Sequence, residues 1–491
     1  MLIETLARPR RWLTLPQELL AIGRLIAARR FEEAIYVGLP IDPGSGSAHP
    51  QTPISITRKA ARIAEAGKVP PTDGMATDQQ RRLEDAARLA IAKSRDLPEA
   101  RRQQSVGMRP ALVVDTHIGV VRSGYTRRTQ ALRQALGDLG TTTAEISRDG
   151  VLDREVLRID GSIAECRDVT SSNNLSAFTA NLADEIEQAA IEMQASLLHA
   201  ASNHALGFAT LSAARRLGIP FVYELRGLWH ETRAALRPSY RGTLGFTAQE
   251  NAELEVAAAA DAVLANGDGL AAWLSERNCD PDQVSIVHNG IDPTLFEDLE
   301  NAQAVRQKFA LGPEPIVAFA GSLTAYEGLE DVVRAMAKLQ SKSQLVLAGD
   351  GPAGDAAERL ARESGVKLHR TGMLPQAEAF AILAAADIVP IIRPDTPLTR
   401  YVAPLKPVEA MAAGAALIVS DLPALSSHTD EGRGVTVPPS DSEALAQAMD
   451  VLLSDKDRRL RIAQRGQAWA HEHRTWKQSA LTIQSVYDTI L

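Results

Sequence analysis

From residue 111 to about 455, short runs of Val, Ile, Leu and Ala alternate with longer stretches whose apolar positions recur every three or four residues. Runs of strand length, each followed by an amphipathic helical period, predict an α/β architecture in which helices cover the faces of parallel sheets. The first half carries candidate strands at 111–115, 196–200, 219–224, 262–265 and 284–288. The second carries them at 315–320, 344–348, 366–370, 387–392, 416–420 and 434–437. Helical periods at 327–340, 355–364, 376–385, 407–413 and 441–453 separate the later strands. A polar stretch at 292–307 interrupts the alternation, so the pattern divides into an N-terminal Rossmann-like domain over 108–300 and a C-terminal one over 301–458. Residues 459–491 read as helices that cross back to the first domain, with Trp469 and Trp476 as anchors. Residues 1–107 read as a helical extension, with periods at 15–35, 57–66 and 76–104 broken by Pro/Gly/Ser-rich stretches.

A chain of 491 residues exceeds what one hydrophobic core supports, which agrees with two large domains and a cleft between them. The net charge of -8 argues against a nucleic-acid partner, so any anionic ligand has to be met by local cations. Cys166 and Cys279 stand alone without ligand spacing, as in a reducing cytoplasm, and no metal site is expected. No run of 18 apolar residues and no signal-peptide core is present, so the expected location is cytoplasmic. Leu19, Ile22, Leu25 and Ile26 share a helical face beside Arg24, Arg29 and Arg30. That face suits packing on the protein body, with peripheral contact to anionic lipid as the other use.

The densest chemical signal runs from Pro404 through Lys406, Pro407 and Glu409 to Gly414, followed by the strand 416–420. Pro in the first turn and Gly at the end frame a helix, so Lys406 and Glu409 flank its positive N-terminus. Free amides and Lys406 suit a diphosphate, and an ionised Glu409 suits two ribose hydroxyls.

This segment resembles the donor-binding helix of glycosyltransferase family 4. The resemblance continues through 316–323, 345–352, 370–374, 287–292 and 123–127, in family order and over roughly residues 110–455. It implies the GT-B fold, two facing Rossmann-like domains, and transfer of a sugar from a nucleotide-diphosphate donor, UDP- or GDP-linked, to a carbohydrate or lipid-linked acceptor with retention of anomeric configuration. No cofactor beyond the donor is implied. By the same resemblance Glu409 holds the ribose. Gly124, Gly321, Ser322 and Gly351 approach the diphosphate and sugar, and Gly372 to Leu374 meet the base. Tyr125 and Arg226 are further candidates.

Three positions depart from the family pattern. Ser322 stands where an Arg is usual, Glu327 where a Lys precedes the glycine, and Tyr401 where a Glu touches the donor sugar. Lys406 then carries the leaving group, with Arg393 or Arg400 as the second cation. On the acceptor side His199, His204 and Glu224 are the candidate catalytic groups, expected to converge on the cleft from neighbouring strand ends. The missing Arg/Lys pair and a displaced His, with Ala201 where many family members have it, sustain one alternative, a catalytically inert nucleotide-sugar-binding subunit of a polysaccharide assembly complex. A dehydrogenase is disfavoured, because the turn after the first strand lacks G-x-G-x-x-G.

Overall fold

The computed structural model describes residues 108–117, 123–147, 163–165 and 175–491. The predicted helical extension, its amphipathic segment and Cys166 lie outside these residues. Two parallel sheets carry the described chain. The first contains β1 (Pro110–Val114), β2 (Ala144–Ser147), β3 (Ile163–Glu165), β4 (Leu197–Ala201), β5 (Phe221–Leu225), β6 (Ala262–Ala265) and β7 (Val284–Ile286), in the order β3-β2-β1-β4-β5-β6-β7. The second contains β8 (Ile316–Ala320), β9 (Gln344–Ala348), β10 (Leu368–Gly372), β11 (Ile388–Ile391), β12 (Ala416–Ser420) and β13 (Gly434–Val437), in the order β10-β9-β8-β11-β12-β13. β2 and β3 do not stand out in the hydrophobic pattern. They are only four and three residues long, and Ala-Glu-Ile-Ser is half polar.

Strands buried on both faces read as unbroken apolar runs. β1, β4, β5, β9 and β12 are buried at every position. In each sheet the strand order reverses at one place, between β1 and β4 and between β8 and β11, which opens a crevice beyond the carboxyl ends of those strands. The loops after β1 and β8 therefore belong to the region where an open α/β sheet binds ligands.

Two segments connect the halves. Ile291 N donates to Arg474 O at 2.8 Å, and Trp476 N donates to Ile291 O at 3.1 Å. A Cβ on Gly290 would come 2.6 Å from the Thr475 carbonyl carbon, so glycine permits this close backbone crossing. Beyond it, helix Trp476–Ile490 returns to the first sheet. There Ala480, Ile483 and Tyr487 are buried with Leu132, Leu136, Leu197, Val222 and Leu264. Trp469 packs instead against the core of the second half, so the two tryptophans anchor opposite sides of the crossing. Among the described residues no helix is long and apolar enough to cross a membrane.

Candidate active site

Helix α1 (Gly124–Asp138) is the first described helix after β1, and Ser123 caps it while Thr126 closes the capping box. Helix α2 (Lys406–Ala412) starts opposite, with Pro407 in its first turn. The two N-terminal turns meet across the crevice. A Cβ on Gly124 would sit 3.5 Å from Leu405, and Arg127 Nη1 lies 3.5 Å from Glu409 Oε1. The connecting backbone is fixed from the first sheet, since Asn289 Nδ2 donates to Ala403 O at 3.1 Å.

Glu409 is nearly enclosed, its side chain 12% exposed. Burial raises its carboxyl above the usual range, and Arg127 and Lys406 partly oppose that rise. The adjoining wall is formed by the ends of β8, β9 and β10. Gly321 has φ +136°, and a Cβ there would come 2.7 Å from Lys406 Cε, so this glycine makes space for the lysine stem. Ser322 is exposed beside it. Gly351 (φ +144°) follows β9 and would press a Cβ onto Leu323 O. Gly372 ends β10 and half-buried Leu374 follows it, flanking Met373, which is 76% exposed. Gly124, Gly321, Ser322, Gly351, Lys406 and Glu409 thus gather on one crevice, with the loop from Gly372 to Leu374 at the end of the next strand.

The cations are distributed differently from the sequence expectation. Arg393 is buried and donates through Nη2 to Glu327 Oε1 at 2.7 Å, and Lys406 Nζ reaches the same oxygen at 2.9 Å. Burial alone would raise the Glu327 carboxyl, but Arg393 and Lys406 outweigh it and hold the pKa at about 2. The acid in the family's usual lysine position is therefore the anchor that fixes Lys406. Arg393 is buried on Glu327, and Arg400 is held by Asp395. Tyr401 is also spent elsewhere, its hydroxyl donating to Glu276 at 2.6 Å.

One prediction follows for stability. A carboxylate depressed from 4.5 to about 2 stabilises the fold above pH 4.5, and this contribution is lost as pH falls through about 2. The shift corresponds to about 3 kcal/mol. Denaturant unfolding of wild type and Glu327→Gln should show a stability difference that narrows between pH 5 and pH 2. A difference constant across that window would refute the assignment.

The acceptor-side expectation is corrected. His199 and Glu224 do not converge on the crevice; they are fully buried inside the first sheet. Glu224 accepts from Arg128 Nε at 2.8 Å and Arg226 Nε at 2.7 Å, and His199 Nδ1 lies 2.6 Å from the Tyr487 hydroxyl. Burial would raise the Glu224 carboxyl, yet the two guanidiniums hold it well below the usual range; burial keeps His199 neutral despite Glu224. An ionised buried acid needs such partners, and these enclose it completely. His204 is buried against Glu253, which also accepts from its backbone N at 3.0 Å. Arg226 lies over the Tyr125 ring at 4.7 Å and donates to Tyr125 O and Thr129 Oγ1, so both support the start of α1. The residues missed from sequence are Arg127, three positions beyond the candidate Gly124 and on the same helical turn, and Asn289, which bridges the halves.

Residues 123–295 match the family model described as Glycosyltransferase Family 4, and residues 314–455 match that described as Glycosyl transferases group 1. A D-inositol 3-phosphate glycosyltransferase of Nocardia farcinica is 31% identical over 244 residues, covering 45% of this chain and 53% of that protein. The chain thus spans about half the length of that relative. An alpha-maltose-1-phosphate synthase of Mycolicibacterium smegmatis is 30% identical over 304 residues, covering 57% of this chain and 76% of that one. Among solved structures, Anabaena HepE in complex with UDP and glucose superposes with a TM-score of 0.63 at 16% identity, over 78% of this chain and 100% of its own. Sucrose-phosphate synthase of Thermosynechococcus elongatus gives 0.62 at 19% identity, over 78% and 98%. The fold they share with this chain is GT-B.

Proposed function

The chain belongs to glycosyltransferase family 4, and from that premise we propose that it transfers a sugar from a nucleotide-diphosphate donor to a carbohydrate or lipid-linked acceptor with retention of configuration. The carrying observation is the meeting of α1 and α2 across the crevice, with Glu409 and Lys406 presented together at the start of α2. Glu409 accepts from the ribose hydroxyls, while Lys406 and the α2 amides face the diphosphate. UDP is the favoured nucleotide by analogy with the HepE complex.

As the bond from the anomeric carbon to the phosphate oxygen breaks, Lys406 takes up the charge that develops on that oxygen. Because His199, His204 and Glu224 are committed elsewhere, the departing phosphate oxygen takes the acceptor's proton on the face where the new bond forms. Retention follows from that same-face exchange. Against the inert-subunit alternative stands Glu327, which does not simply replace a cation but holds Lys406 in place.

Among the described residues no group of three or more His, Cys, Asp or Glu side chains could hold a metal. Sugar transfer should therefore persist in EDTA, within about twofold of the untreated rate, since the helix amides and Lys406 supply the positive potential. The experiment follows nucleoside diphosphate release from UDP- and GDP-sugars with and without EDTA. Activity abolished by EDTA and restored by Mg²⁺ or Mn²⁺ would contradict the proposal.

A further inference from the structure

Resting on that reading, we infer that Arg127 is the second cation of the diphosphate site, supplied from the wall facing α2 and held on Glu409 until the donor arrives.

The local charge requires such a group. Arg393, Lys406 and Glu327 form one cluster with a single net positive charge, and the Glu409 carboxylate, when it is ionised to accept from ribose, cancels that charge. A diphosphate would then meet a site of no net charge, without the electrostatic surplus that charge-assisted phosphate binding requires. Four of the other arginines nearby are committed. Arg400 is held by Asp395, Arg128 and Arg226 are sealed around Glu224, and Arg370 is held by Asp350 and Asp355.

Arg127 differs from these four. Its side chain is 39% exposed and its ion pair is with Glu409. At 3.5 Å that approach is longer than a hydrogen bond. The guanidinium end of this pair is open to water, so Arg127 can leave Glu409 once the carboxylate has other partners. The guanidinium is carried by the same first turn as Gly124, whose Cβ position is 3.5 Å from Leu405, so it already faces the start of α2. When ribose hydroxyls occupy Glu409, the carboxylate has new partners and Arg127 can turn its two-pronged donor set to a phosphate, a geometry guanidinium satisfies better than ammonium. Arg127 thus shields an enclosed carboxylate in the empty protein and neutralises phosphate in the loaded one.

The test titrates wild type, Arg127→Gln and Arg127→Lys with uridine and UDP, and with guanosine and GDP, after confirming equal melting midpoints. Wild type should prefer a diphosphate to its nucleoside. In Arg127→Gln the diphosphate affinity should fall by roughly 10- to 100-fold while nucleoside affinity stays within about twofold, and Arg127→Lys should lie between. Equal losses for nucleoside and diphosphate, or no loss for either, would overturn the role of Arg127 while leaving the donor site intact. A wild type without preference for either diphosphate would overturn the donor-site reading and this inference together.

Discussion

Replacing Glu409 by Ala is expected to weaken nucleoside diphosphate binding by about 100-fold. Two ribose hydroxyls lose a charged acceptor, and hydrogen bonds to a charged group contribute roughly 1.5–3 kcal/mol each. Part of that is recovered from water entering the gap, which leaves a net loss of about 3 kcal/mol. Stability should change little, because the Arg127 left behind is half-exposed and hydrates readily, and the helix itself begins on Pro407 rather than on the carboxylate. Calorimetric titration with UDP and GDP, alongside a melting curve, separates the two effects. An unchanged dissociation constant would remove Glu409 from the site.

Replacing Lys406 by Ala should act mainly on turnover. The ammonium is fixed by Glu327 at 2.9 Å and by the space that Gly321 leaves for its stem, so it is positioned before the leaving group acquires charge. Removing a preorganised charge of this kind costs roughly 100- to 1,000-fold in kcat. If the contact strengthens as the bond breaks, kcat should fall far more than KM rises. A variant with unchanged kcat and a raised KM would make Lys406 a ground-state binder only. Glu327 remains neutralised by Arg393 in this variant, so loss of fold is not the expected cause of the loss of rate.

The donor half was legible because its information is local. Strands β8, β9, β11 and β12 are mostly apolar runs, and the Pro407-to-Gly414 pattern by itself places Lys406 and Glu409 at a helix start, observed at Lys406–Ala412. The acceptor half misled because charged residues in and after buried strands resemble a functional rim. Glu224 is paired with Arg128, 96 residues earlier in the chain, as well as with the nearby Arg226, and His199 is hydrogen-bonded to Tyr487, 288 residues later. Neither Arg128 nor Tyr487 lies near enough in sequence for a motif to reveal the pairing. Likewise Glu327 looked like the loss of a cation. Only the approach of Arg393 and Lys406 to one carboxylate shows that the reversed charge holds a lysine instead.

The most direct test of the donor site compares the melting midpoint of wild type and Glu409→Ala across a panel of UDP-, GDP- and ADP-sugars, since a ligand that binds the folded state raises the midpoint. At least one nucleotide sugar should raise the midpoint of the wild type, and the same compound at the same concentration should leave Glu409→Ala nearly unmoved. No shift with any donor in the wild type, or an equal shift in both proteins, would contradict a nucleotide-sugar site built on Glu409.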